Sequence, residues 1–191
     1  QIASAKDGSV IEYIFFALWF FAPAGFANAA PVFANKIPWL KDWKTPIDFG
    51  KSYKGKRILG NNKTWRGFCF GVFIAILTLL LQKALSSNNA WLQQNITVVD
   101  YSTVSLWLGL LLGAGALIGD AVESFFKRRA NVPSGEAWFP FDQIDYIIGG
   151  VLLSSLVVTL SPAYNITILL VWFGLHLISS YIGFLLGLKD T

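Results

Sequence analysis

Four carboxylates fall into two pairs of equal spacing. Asp120 and Glu123 stand three apart near the end of one apolar segment, and Asp142 and Asp145 stand three apart at the start of the next. Residues three apart share a helix face. The connection between the two segments is short, so the helices are expected to be antiparallel neighbours, which brings all four carboxylates to one level. A carboxylate inside a membrane span is expensive unless it is paired or metal-bound. Oxygen-only ligands suit Mg²⁺ or Mn²⁺. Two such ions, held by shared carboxylates, can clamp the attacking and leaving oxygens of a phosphoryl or nucleotidyl transfer. The competing reading pairs the carboxylates with Lys127, Arg128, Lys63 or Arg66 as structural salt bridges. The doubled arrangement favours metal, because pairs alone balance so much local charge poorly. Asp120, Glu123, Asp142 and Asp145 are therefore the candidate ligands.

A second set of residues suits an anion. The run Gly60-Asn61-Asn62-Lys63-Thr64-Trp65-Arg66-Gly67 combines small residues, which let backbone amides approach, with Lys and Arg. It is not a P-loop: Gly55 and Gly60 have the right separation, but Lys63 does not follow the second glycine and no strand is expected before it. A polybasic lipid-surface patch would explain the charge of this loop but not its Gly-Asn-Asn spacing. Ser134-Gly135, ahead of Trp138-Phe139-Pro140, reads either as a hinge or anion contact or as a plain turn. His176, the one histidine, reads as packed or hydrogen-bonded rather than as a ligand. Asn28 and Asn35, in a segment that Pro23 and Pro31 are expected to kink, could line a polar cavity or a lipid groove.

These groups need a scaffold, and composition names it. The 191 residues are 54% hydrophobic and 14% charged, against about 25% charged in soluble domains. A helix needs about 20 apolar residues to cross a bilayer. Five stretches qualify, near 12–33, 68–85, 104–126, 144–160 and 166–188, the fourth at the short end. Helices are expected because an open sheet leaves backbone groups unpaired in lipid. The reading is one all-α, polytopic transmembrane domain over 1–191 with about five spans. Residues 36–66 hold nine Lys or Arg, 127–142 hold three, 83–103 hold one, and the link between the last two spans holds none. Basic loops stay inside, so both basic loops, the polar site and the C-terminus are expected in the cytoplasm and the N-terminus outside. The sequons at Asn95 and Asn165 then fall outside. A loop as long as 36–66 is usually functional. The net charge of +4 follows from topology, and no nucleic-acid motif accompanies it. Cys69 is the one cysteine, lies in an apolar run and is expected to pack there. The chain opens on Gln1 without methionine, which suggests a trimmed start, and nothing there reads as a cleavable signal peptide.

Two blocks resemble the CDP-archaeol synthase family, the archaeal CTP-dependent cytidylyltransferases related to CDP-diacylglycerol synthases. One is Ile58-Leu59-Gly60-Asn61-Asn62-Lys63-Thr64-Trp65-Arg66-Gly67. The other runs from Gly119-Asp120 through Glu123-Ser124-Phe125-Phe126-Lys127-Arg128, Ser134-Gly135 and Pro140 to Asp142-Gln143-Ile144-Asp145 and Gly149-Gly150. The bacterial signature usually carries His-Gly-Gly and an Arg-containing end; Phe141-Asp142-Gln143 stands here instead, as in the archaeal branch. The resemblance implies transfer of CMP from CTP to a glycerol phosphate bearing two ether-linked geranylgeranyl chains, with Mg²⁺ required and pyrophosphate released. It implies metal at Asp120, Glu123, Asp142 and Asp145, triphosphate at Lys63, Lys127 and Arg128, and CTP contacts from Asn61, Asn62, Thr64, Arg66, Ser134 and Gly135. CTP, the isoprenoid ether lipid phosphate and membrane lipids are the expected partners. A transporter or Mg²⁺ channel would spread charge through the bilayer, whereas here it gathers at one surface. The Asp-Gly-x-x-Ala-Arg run of CDP-alcohol phosphotransferases is absent, and a structural lipid binder needs no acidic cluster.

Overall fold

The computed structural model describes residues 9–96 and 98–185. Helix α1 spans Val10–Ala34, α2 Trp65–Asn88, the short α3 Ala90–Asn95, α4 Trp107–Arg129, α5 Phe141–Ser154 and α6 Pro162–Leu185. Four of them, α1, α2, α4 and α6, are long and apolar enough to cross a membrane.

Two expectations about the elements change. The stretch 144–160 is apolar throughout, but its helix stops at Ser154. Its 14 residues rise about 21 Å at 1.5 Å each, short of a hydrocarbon core of about 30 Å. At its end the hydroxyls of Ser154 and Ser155 donate to the carbonyls of Val151 and Leu152, the local competition that favours helix ends. The chain then turns Val158 and Leu160 into the core beside Tyr164. The described residues are also not wholly helical. Strands β1 (Ser52–Tyr53) and β2 (Lys56–Arg57) form an antiparallel hairpin inside the long basic loop, just before Gly60. Predicted residues 186–188 of the last span lie outside the described residues.

Helix α1 starts with a reciprocal cap, Ser9 accepting from the Glu12 amide while Glu12 accepts from that of Ser9. It then runs unbroken through Pro23 and Pro31. One side is alanine-rich: Ala17, Ala24, Ala27, Ala30 and Ala34 are buried, with Phe16, Phe20 and Phe21 filling the core between them. Apolar burial gives no driving force between helices in lipid, so small residues and close packing must hold them together.

Helix α4 carries that principle on two faces. Toward α2, a Cβ on Gly113 would lie 2.5 Å from the Ala75 side chain. Toward α5, a Cβ on Gly115 would lie 2.4 Å from the Gly149 carbonyl oxygen, and one on Gly119 would lie 2.2 Å from that of Asp145. The two backbones touch because these positions carry no side chain. Cys69 is exposed rather than packed; it sits on the outward side of α2.

Both basic loops lie at one end of the bundle, where α1 and α4 finish and α2 and α5 begin. Asn95 and Asn165 lie at the other end; Thr97, which completes the first sequon, is outside the described residues.

Candidate active site

The glycine contact between α4 and α5 builds the acidic site. Asp120 follows Gly119, and Asp145 is the residue whose backbone Gly119 touches. One helical turn on, Glu123 shares the face of Asp120. One carboxylate oxygen from each of Asp120, Glu123 and Asp145 lies within 4.8 Å of the other two.

Asp142 stands outside that trio but beside it, its carboxyl against that of Glu123 and in the wall of the cavity that Glu123 also lines. It sits at the start of α5, where it accepts from Lys127 Nζ at 2.6 Å and from the Trp138 amide at 2.7 Å. Lys127 reaches across to Glu123 Oε1 at 3.5 Å, within ion-pair range but too far to hydrogen-bond it well. That buried oxygen therefore has no hydrogen-bond partner among the described residues. Asp120 pairs with Lys63 Nζ at 2.6 Å. Asp145 makes no salt bridge among the described residues and accepts only its neighbour's amide, from Tyr146 at 2.6 Å. Ion pairing thus occurs, as the competing reading expected, yet leaves one carboxylate unpaired and one buried oxygen unsatisfied. Three converging oxygen donors with that deficit fit a hard divalent cation such as Mg²⁺.

Asp120 and Glu123 open, with Asp142, on a cavity of about 1160 Å³ at the end of the bundle where the basic loops gather, and Asp145 lies in the groove beside it. Asn62, Lys63, Thr64, Arg128, Ser134 and Gly135 line it. Asn62 Nδ2 donates to Ser134 Oγ at 3.2 Å, joining the two loops across its mouth. Thr64 also caps α2, accepting from the Gly67 amide.

Two residues expected here lie elsewhere. Arg66, in the first turn of α2, points back to the end of α1, where it donates to the Leu40 and Lys41 carbonyls and to Asn35 Oδ1. Asn61 turns to the hairpin and accepts from Arg57 Nη1 at 2.7 Å. Both hold the loop's shape instead of facing the cavity. Asn28 of α1 lines the cavity, and Asn35, which caps the end of that helix, serves Arg66.

Sequence reading passed over Asp48 and Ser180, and it gave no role to Ser124 and Gln143, which line the cavity and stood only as members of the motif. His176 and Ser180, one turn apart on α6, both line the cavity, and their helical spacing was the available signal. Asp48 is buried in the basic loop. Burial alone would raise its carboxyl, but the Arg57 guanidinium and the amides of Leu59, Gly50 and Gly60 outweigh that and hold it at about 2.

Two apolar grooves flank α4 on its outward side, with Ile118 and Val122 in the wall of both. One, of about 530 Å³ between α4 and α5, ends at Glu123 and Asp145. The other, of about 450 Å³, shares Ile47, Leu59, Phe68, Leu117 and Ala121 with the charged cavity.

Fold and site together define a polytopic helical membrane protein with a charged, oxygen-rich cavity at one end and apolar grooves leading to it. Residues 10–191 match the family model of CarS-like CDP-archaeol synthases. A CDP-archaeol synthase from Thermococcus kodakarensis is 38% identical, over 95% of this chain and 97% of its own length. One from Methanocaldococcus jannaschii is 35% identical, over 93% and 96%. A solved intramembrane enzyme of archaeal membrane-lipid biosynthesis superposes with a TM-score of 0.68 at 27% identity, covering 88% of this chain and 94% of that one. The chain belongs to the CDP-archaeol synthase family.

Proposed function

We propose that this protein transfers CMP from CTP to an archaeal glycerol phosphate bearing two ether-linked geranylgeranyl chains, giving unsaturated CDP-archaeol and pyrophosphate. The observation that carries the reading is the Asp120–Glu123–Asp145 cluster, of which Asp120 and Glu123 share one cavity with Lys63, Lys127 and Asp142 while Asp145 lies in the apolar groove that adjoins it. Family membership supplies the reaction. An oxygen of the lipid phosphate forms a bond to the α-phosphorus of CTP. The bond from that phosphorus to the β-bridging oxygen breaks, and pyrophosphate leaves with the electron pair. The nucleophile is already anionic, so positioning and charge neutralisation do the catalytic work.

Asp120, Glu123 and Asp145 would hold Mg²⁺, which neutralises phosphate charge when bound. Lys63 and Lys127 meet triphosphate oxygens, each held in place by a carboxylate. Asp142 acts through Lys127. Arg128, Asn62, Thr64, Ser134 and Gly135 surround the nucleotide at the loop end of the cavity. The lipid enters sideways, its chains in the grooves beside Ile118 and Val122 and its phosphate at Glu123 and Asp145. Both basic loops, with the site, face the cytoplasm, and the N-terminus faces out.

The test is transfer of label from α-labelled CTP into extractable lipid by the purified protein with Mg²⁺ and the geranylgeranyl-ether glycerol phosphate. ATP, GTP and UTP serve as controls. Metal-dependent labelling with CTP preferred is the expected result. No transfer from any nucleotide, by folded protein offered both ether and acyl lipids, would overturn the reading.

A further inference from the structure

The loop that carries Lys63 has no helix or extended sheet to fix it, yet it must present Asn62 and Lys63 to the cavity. One buried side chain supplies four of the bonds that order it. Asp48 Oδ2 accepts from the Leu59 amide at 3.0 Å and the Gly60 amide at 3.2 Å. Its Oδ1 accepts from the Gly50 amide at 3.0 Å and from Arg57 Nη2 at 2.8 Å. The carboxylate side chain is 1% exposed, while Arg57 is about a third exposed. Gly60 has φ +102°, a conformation that suits glycine and turns the chain toward Asn61 and Asn62. Arg57 passes the restraint on by donating to Asn61 Oδ1. Next to Asp48, the Ile47 amide donates to the Lys63 carbonyl at 2.8 Å. Every residue from Leu59 to Lys63 except Asn62 is thus tied to 47–48 directly or through Arg57, and Asn62 is tied to Ser134.

We infer that Asp48 is a positioning residue for the nucleotide: its buried carboxylate gathers the amides of Leu59 and Gly60 and the Arg57 guanidinium, and so sets where Asn62 and Lys63 meet the triphosphate. The inference rests on the CTP reading above. Asp48 does not line the cavity, so it acts through the loop and not on substrate. Its effect falls on CTP and not on the lipid, because the grooves beside α4 contain none of the residues that Asp48 holds except Leu59, which contributes to one of them.

Asp48→Ala, Asp48→Asn and Arg57→Gln are compared with the wild type by steady-state kinetics in CTP and in lipid phosphate separately, with thermal unfolding alongside. A displacement of about 1 Å at a reacting group can cost as much as a hundredfold, and part of that should be recovered when CTP binds. Asp48→Ala is expected to raise the KM for CTP about tenfold or more while the lipid KM stays within about twofold. Asp48→Asn keeps an oxygen for the two amides but loses the charge facing Arg57, so it falls between Asp48→Ala and the wild type; Arg57→Gln has the smallest effect. An unchanged CTP KM, or CTP and lipid KM rising together, overturns the inference. Should Asp48→Ala not fold, the same split in Asp48→Asn and Arg57→Gln decides. A wild type that uses no CTP would sink the CTP reading and this inference together; a wild type that uses CTP beside unaffected Asp48 variants sinks this inference alone.

Discussion

Lys63 Nζ lies 2.6 Å from Asp120 Oδ2, across a gap of 57 residues in sequence. This pair ties the glycine-asparagine loop to the acidic helix, and it explains why neither motif forms a site alone. The loop supplies a cation to α4, and α4 supplies the only direct ion pair that Lys63 makes among the described residues.

Lys63→Met removes that cation. Transfer from CTP is expected to fall about a hundredfold, the loss typical of one charge-stabilising group. Lys63→Arg should recover only part of it, because a planar guanidinium does not reproduce a compact ammonium in this pair. Initial rates at saturating lipid check both.

Asp145→Asn keeps the size of a carboxylate that makes no salt bridge among the described residues, so the fold should survive. Turnover should drop by at least about a hundredfold with unfolding temperature unchanged within a few degrees. Full activity in this variant would remove Asp145 from the site.

Metal removal gives a readout independent of turnover. Chelation should abolish transfer, and Mg²⁺ or Mn²⁺ should restore it. Mg²⁺ at a hundred times its dissociation constant should stabilise the protein by about 2.7 kcal/mol, seen as a rise in unfolding temperature. Asp145→Asn should lose that rise, and an equal rise in both proteins would place the ion elsewhere.

Gly119→Ala tests the helix contact. The added Cβ would stand 2.2 Å from the Asp145 carbonyl oxygen, so α4 and α5 must separate. A cost of about 1–3 kcal/mol is expected, with a larger loss of activity because Asp120 and Asp145 move apart. Gly174→Ala, where a Cβ meets nothing within 4 Å, is the control.

The Asp48 carboxyl is held at about 2 against an ordinary 3.8. A depressed carboxyl stabilises the fold above its unfolded value and loses that contribution as pH falls through its folded one. Roughly 2 kcal/mol should therefore be present at pH 5 and above and be lost between about pH 4 and pH 2. Urea unfolding against pH, compared in wild type and Asp48→Asn, measures it; the variant should lack this acid limb.

The sequence by itself determined the membrane character, the pairing of the acidic helices and the basic end of the bundle. These follow from composition, from three-residue spacing and from a short connection, all local properties of the chain. The lengths of α1, α2, α4 and α6 follow from apolar runs for the same reason. Only the tertiary structure decided which groups meet. Asp142 and Asp145 have the same spacing as Asp120 and Glu123, yet α5 begins at Phe141, which leaves Asp142 on Lys127 at the edge of Glu123 and brings Asp145 into the oxygen trio. Arg66 and Asn61 match the loop motif as well as Lys63 does, but hydrogen bonds to distant carbonyls and to Arg57 turn them away from the cavity. The helix of the fourth stretch ended early because serine hydroxyls and a turn into the core outweighed continuous apolarity. Asp48 stayed invisible because its role depends on amides 11 and 12 residues further on, and no periodicity marks a loop that folds back on one carboxylate.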